Sequence, residues 1–95
     1  MQQCRKAHHS REFKDKLILR LNRIEGQVKG IKKMIESDCY CDDIINQITS
    51  IRSALAGVQM ELLKGHINTC VLDQLKEGEL NVIDELANTI KKMVL

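Results

Sequence analysis

An apolar stripe through the middle of the chain restricts its fold more than any other feature. Apolar side chains recur there at spacings of four and three, at Ile44, Ile48, Ile51, Leu55, Val58 and Leu62. This spacing places them on one face of an α-helix, and His66 and Cys70 continue the same face. No proline interrupts the run. We therefore predict one long helix from residue 41 to about residue 74 or 75.

Two further helices complete the predicted fold. A similar stripe comes earlier in the chain, at Leu17, Leu21, Ile24, Val28, Ile31 and Ile35. It predicts a first helix over residues 11–35, with Ser10 as the N-cap. The short connection over residues 36–40 makes the first two helices an antiparallel hairpin. Gly78 is expected to end the second helix, and a third helix follows over residues 80–93.

Composition agrees with an all-α protein. The 95 residues suffice for one domain, and they include 43% hydrophobic residues, two aromatic residues and no proline. We expect residues 1–10 to form a flexible arm on this single domain. Three helices leave long apolar seams only partly covered, so we expect a symmetric helical assembly to bury the remainder.

The chain is expected to be cytoplasmic. Its apolar runs are too short to span a membrane, and the polar residues 1–16 do not resemble a signal peptide. In that compartment the four cysteines, at positions 4, 39, 41 and 70, stay reduced. A disulfide framework is the alternative, but nothing in the sequence indicates secretion.

Charge is distributed unevenly along the chain. Residues 1–35 carry ten Lys/Arg and three Asp/Glu, a net of +7, whereas residues 36–95 carry five and ten, a net of −5. A basic end on a nearly neutral protein suits a polyanionic partner, although a solvated helix face explains the same charges.

A thiol and an imidazole four positions apart, Cys70 and His66, project from one helix face as neighbours and suit a soft or borderline metal. Cys41 is the obvious third ligand. An unbroken helix separates positions 41 and 66 by about 38 Å, which no side chain spans. We therefore expect an antiparallel partner chain to supply Cys41, which gives two equivalent sites in a two-fold dimer.

Three stretches resemble the CsoR/RcnR family of small all-helical metal-sensing repressors. They are residues 20–28 (RLNRIEGQV), the pair Tyr40–Cys41, and residues 62–66 (LLKGH) together with Cys70. The resemblance extends from about residue 8 to residue 93. It implies paired hairpins, usually a flat tetramer, that bind operator DNA without a helix-turn-helix and release it when the effector binds between subunits.

The ligand positions distinguish the branches of this family. The copper(I) branch uses Cys, His and Cys, which correspond to Cys41, His66 and Cys70. His66 argues against the persulfide-sensing branch, and Cys70 with Gln2 argues against the formaldehyde-sensing branch. The nickel(II)/cobalt(II) branch adds an N-terminal histidine near His9, so a nickel- or cobalt-responsive repressor is the alternative.

Other positions receive supporting roles from the resemblance. Tyr40 and Glu85 correspond to a Tyr and a Glu that support the ligand histidine in the copper branch. The DNA-contacting residues implied by the motif are Arg20, Arg23 and Arg52, with contributions from Lys91 and Lys92. Arginine suits phosphate because its planar guanidinium donates two hydrogen bonds at once. Cys4 and Cys39 receive no role.

Two further classes of function compete with a repressor. A cytosolic metal-buffering protein would use the same three ligands without binding DNA. A thiol enzyme would use His66 to activate Cys70. The sequence contains no nucleotide-binding loop or catalytic-triad order, so we expect no enzymatic activity.

Overall fold

A computed structural model describes residues 8–93 of the chain, and these residues are helical with no strand. The helices are α1 (Arg11–Glu36), α2 (Cys41–His66), α3 (Leu72–Lys76) and α4 (Val82–Met93), and a π-helical segment (Ile67–Val71) joins α2 to α3. The all-α prediction is therefore confirmed. Most of the predicted flexible arm over residues 1–10 lies outside the described residues.

The chain divides into two compact units, and the first described here is the hairpin over Ser10–Leu62. Its first helix begins as predicted, because the Ser10 hydroxyl accepts a hydrogen bond from the backbone N–H of Phe13 at 3.1 Å. Both helices contribute to one small core, formed by Leu17, Ile24, Ile51 and Val58 with Phe13, Ile31 and Ala54 packed around it. The predicted helical hairpin is thus present.

Each apolar stripe of the hairpin separates into two columns seven residues apart. The inner columns, which are buried or half-buried, are Leu17, Ile24 and Ile31 on α1 and Ile44, Ile51 and Val58 on α2. The outer columns stay exposed, and they are Leu21, Val28 and Ile35 on α1 and Ile48, Leu55 and Leu62 on α2. One hairpin therefore covers only half of the apolar surface that its own sequence pattern creates.

A Schellman turn connects the two helices. The backbone N–H of Cys39 donates to the Met34 carbonyl at 3.0 Å, and that of Asp38 donates to the Ile35 carbonyl at 3.2 Å. Asp38 takes the left-handed conformation that this motif requires, with φ at 55°. The chain then reverses within four residues, and Cys41 becomes the first residue of α2.

The predicted long second helix is present, because the chain is helical without a break from Cys41 to Lys76, but it is not α-helical throughout. The segment is α-helical only as far as His66, π-helical over Ile67–Val71, and α-helical again to Lys76. A π turn closes each hydrogen bond one residue later than an α turn, so the following residues are rotated by about 100° relative to an unbroken α-helix. Within this segment the Thr69 hydroxyl donates to the Gly65 carbonyl at 2.7 Å.

The second compact unit contains the residues from Leu63 onward and also His9. Its most buried side chains are Val82 and Val71, and α4 packs against the π-helical segment. The preceding helix ends as predicted at Gly78, whose φ of 83° suits the left-handed position of a second Schellman turn. The last helix begins at Val82, two residues later than predicted.

Within residues 8–93, no helix combines the length and the apolar character that crossing a bilayer requires.

Candidate metal centre and nucleic-acid surface

The imidazole and one thiol of the predicted metal site lie in the same compact unit. His66 is the last residue of α2 and is half-buried, and Cys70 lies four positions later inside the π-helical segment. Only 9% of Cys70 is exposed. A buried sulfur and a half-buried imidazole four positions apart offer donors that are largely screened from water, which suits a soft metal ion.

The remaining predicted ligand lies at the opposite end of α2. Cys41 is the first residue of this 26-residue helix and is exposed to solvent, whereas His66 is the last. A helix of this length extends about 38 Å. Among the described residues of one protomer, no group of three or more His, Cys, Asp or Glu side chains could hold a metal ion.

The chemistry of the donor set fits copper(I). Cys39, Cys41 and Cys70 are free thiols, so none of them is withdrawn from metal binding by a disulfide. Two thiolates and one imidazole form a trigonal soft site, whereas structural zinc normally takes four protein ligands. Cys39 is also exposed, in the turn just before Tyr40, and the family resemblance gives this thiol no role.

The predicted supporting residues occupy the starts of two helices. Tyr40 precedes α2, and its carbonyl accepts hydrogen bonds from the N–H groups of Asp43 and Ile44 at 3.1 and 3.3 Å. Its side chain is 74% exposed in the protomer. Glu85 is half-buried in the first turn of α4, and His9 is half-buried just before α1. Their predicted roles at the metal remain predictions.

One residue near the metal ligands is absent from the sequence prediction. The Thr69 hydroxyl oxygen lies 3.5 Å from the Cys70 sulfur, and the same hydroxyl donates a hydrogen bond to the Gly65 carbonyl. The only hint in the sequence is a cluster of β-branched residues, Ile67, Thr69 and Val71, which fit an α-helix less well than unbranched ones. That hint is too general to identify a π-helical segment.

Two of the predicted DNA-contacting residues line one groove on the hairpin. Arg20 and Arg23 lie there with Ile24, Gln27, Ala54 and Gly57 around a cavity of about 280 Å³. Both arginines are exposed, and within residues 8–93 neither forms an ion pair. By contrast, Arg11 on the same helix is paired with Asp15 at 2.8 Å. The groove therefore presents two available guanidinium groups.

The other predicted DNA contacts lie elsewhere. Arg52 is exposed on α2, in the same hairpin unit but outside the groove lining. Lys91 and Lys92 are exposed in the last turn of α4, in the second unit. The structure thus brings together Arg20 and Arg23 in one groove of the hairpin unit, whereas Lys91 and Lys92 belong to the other unit.

Comparison with known proteins identifies the family of this helical chain. The metal-sensitive transcriptional repressor family matches residues 13–92. The chain is 44% identical over 86 residues to the copper-sensing transcriptional repressor CsoR of Bacillus subtilis (strain 168), covering 90% of this chain and 85% of that protein.

Solved structures give the same picture. The copper-sensing repressor CsoR with Cu(I) from Geobacillus thermodenitrificans NG80-2 superimposes with a TM-score of 0.85 at 40% identity, covering 93% of each chain. The nickel-responsive transcriptional regulator InrS superimposes with a TM-score of 0.73 at 32% identity, covering 90% of this chain and 98% of that one. Sequence and fold agree over nearly the whole chain, which therefore belongs to the family of metal-sensitive transcriptional repressors.

Proposed function

We propose that this metal-sensing repressor responds to copper(I): the apo protein binds operator DNA, and copper(I) bound by Cys41, His66 and Cys70 releases it. The proposal rests on one agreement: the metal donors that this chain offers suit the metal that several similar proteins sense. The chain offers two free thiols and an imidazole, and the proteins it is similar to include copper-sensing repressors. This donor set is the one that copper(I) prefers.

A homodimer completes the proposed site. Cys41 and His66 are the first and last residues of the same 26-residue α-helix, so we infer that a three-ligand site needs Cys41 from a second copy. The exposed outer columns on α1 and α2 supply the surface for that second copy, because two hairpins that face each other through them form a four-helix bundle. A dimer of such dimers gives the proposed cytoplasmic homotetramer.

DNA binding is assigned to the basic hairpin. Helix α1 carries eight Lys/Arg and four Asp/Glu, and two of its unpaired arginines line the groove described above. Arg20 and Arg23 are proposed to bind phosphates, with Arg52, Lys91 and Lys92 in supporting contacts. Copper(I) then releases DNA because it binds the low-affinity conformation better, and DNA weakens copper binding by the same factor.

The test is a metal titration of the DNA-bound apo protein under anaerobic conditions. The DNA is a duplex that the apo protein itself selects from a randomised pool, and release is followed by fluorescence anisotropy. We expect copper(I) to release the duplex at one equivalent per protomer. Cys41→Ser should abolish release without weakening apo binding. Cys39→Ser is the matched control, since it changes an equally exposed thiol two positions away.

A nickel(II)- or cobalt(II)-responsive repressor is the second candidate. It is favoured by the half-buried His9, which belongs to the same compact unit as His66 and Cys70, and by the similarity to the nickel-responsive InrS. A fourth donor from His9 would suit square-planar nickel(II). Release by nickel(II) but not copper(I), abolished by His9→Ala, would establish this alternative. Failure to select any duplex would instead favour a metal-buffering protein.

A further inference from the structure

The hydroxyl of Thr69 lies between the backbone next to one proposed metal ligand and the sulfur of another. Its oxygen is 2.7 Å from the Gly65 carbonyl oxygen and 3.5 Å from the Cys70 sulfur. Gly65 shares its peptide group with His66. One half-buried side chain therefore connects the peptide at the imidazole ligand to the thiol ligand.

The π-helical geometry explains why this connection matters for the placement of the two proposed ligands. Over Ile67–Val71 the backbone hydrogen bonds change register, and such segments often occur at functional sites. The change of register determines where the Cys70 sulfur lies relative to His66. The Thr69 hydroxyl bonds the carbonyl just before this segment, so it links the peptide at His66 to the residue that precedes Cys70.

The hydroxyl also matches what a metal-bound sulfur needs. A hydroxyl has one proton to donate, and it serves either the carbonyl or the sulfur at a given moment. A thiolate carries negative charge and accepts a stronger hydrogen bond than a neutral thiol does. When a metal replaces the thiol proton of Cys70 and that proton passes to solvent, the Thr69 hydroxyl is a neighbouring donor within reach of the sulfur.

We propose that Thr69 is a positioning residue of the metal site, which orients the Cys70 thiolate relative to His66 and donates a hydrogen bond to it in the metal-bound protein. This inference rests on the proposed function, because it assumes that Cys70 and His66 are ligands. Partners that orient a ligand typically contribute 10- to 100-fold to metal affinity, and we expect a decrease of about that size without the hydroxyl.

The experiment compares three variants in an anaerobic competition for copper(I) against a chromophoric chelator. Thr69→Val removes the hydroxyl and keeps the branched shape, and it should weaken copper(I) binding about 10- to 100-fold. Thr69→Ser keeps the hydroxyl and should bind within about threefold of wild type. The control is Thr49→Val, because Thr49 makes the same type of bond, to the Ile45 carbonyl at 3.2 Å, in the other unit of the chain.

A second measurement separates positioning from a purely structural role. Thermal unfolding of the apo protein and its affinity for the selected duplex should change no more for Thr69→Val than for Thr49→Val. The copper–thiolate absorption band in the ultraviolet should shift only for Thr69→Val. Equal decreases of apo stability, DNA affinity and copper affinity in Thr69→Val would overturn the proposal.

The two proposals fail in distinguishable ways. Wild-type protein that binds copper(I) through Cys70, together with a Thr69→Val variant of unchanged affinity and spectrum, would overturn this inference and leave the proposed function intact. Wild-type protein whose copper(I) affinity is unaffected by Cys70→Ser would overturn the proposed site and this inference with it.

Discussion

Mixing two inactive variants should restore copper binding if the metal site is shared between subunits. Cys41→Ser retains His66 and Cys70, and His66→Ala retains Cys41. Neither variant alone can assemble three ligands. In a mixed dimer, one site combines both defects, while the other combines the intact Cys41 of one chain with the intact His66 and Cys70 of its partner. Each mixed dimer therefore contains one complete site.

The expected number of restored copper(I) sites follows from random pairing of the two variant chains. Half of the dimers are mixed and each has one complete site out of two, so about one quarter of the wild-type number of sites returns. A site within one chain predicts no recovery, because each variant chain lacks one of the three ligands and pairing cannot supply it. The prediction therefore distinguishes a quarter from zero, which is well within the precision of a metal titration.

The assay begins with co-refolding of the two chains at equal concentration, followed by anaerobic copper(I) titration against a chelator that strips weakly bound metal. The control mixture pairs Cys41→Ser with the double variant Cys41→Ser, His66→Ala, which can form no complete site in any combination. No recovery in the test mixture, when wild type binds one copper(I) per protomer, would refute the shared site. High-affinity binding by Cys41→Ser alone would refute the assignment of that ligand.

Three further predictions concern the helix ends and the groove. Gly78→Ala should lower the free energy of unfolding by about 1 kcal/mol, because φ is positive there, whereas Asp38→Gly should raise it by about 0.5 to 1 kcal/mol for the same reason. Urea unfolding at one fixed protein concentration tests both predictions. Changes of the same sign in the two free energies of unfolding would contradict the cap geometry. Arg20→Ala and Arg23→Ala, each made singly, should weaken duplex binding and lower the slope of its salt dependence by about one unit for each phosphate that is no longer bound, with Lys76→Ala as the control that removes the same single charge elsewhere.

Much of the fold could be predicted because its signals are local. The spacing of apolar residues identified both long helices of the hairpin, Ser10 marked the start of the first, and Gly78 marked the end of the second helical stretch. Each of these features depends on residues only a few positions apart. The chemistry at a helix end or along a helix face is therefore readable without knowing the tertiary structure.

Features that depend on tertiary packing were less accessible. A spacing of four and three does not reveal that Leu17 and Ile24 turn inward while Leu21 and Val28 stay exposed. The π-helical segment depends on which carbonyl each backbone N–H selects, and sequence spacing near Thr69 does not determine that choice. The ligand set was predicted from residue types and family resemblance, and the side-chain partners of those ligands required coordinates.

The 26-residue length of α2 makes the proposed metal site sensitive to how two molecules are aligned along their helices. In the proposed dimer, His66 at the C-terminal end of α2 belongs to one metal site, and Cys41 at the N-terminal end of the same helix belongs to the other site. If one α2 helix shifted along the α2 helix of its partner by a single turn, about 5.4 Å, the ligands of both metal sites would separate at once. Bound copper would then favour one alignment of the two helices along their axes. The spacing of the arginines presented to DNA would change with that alignment.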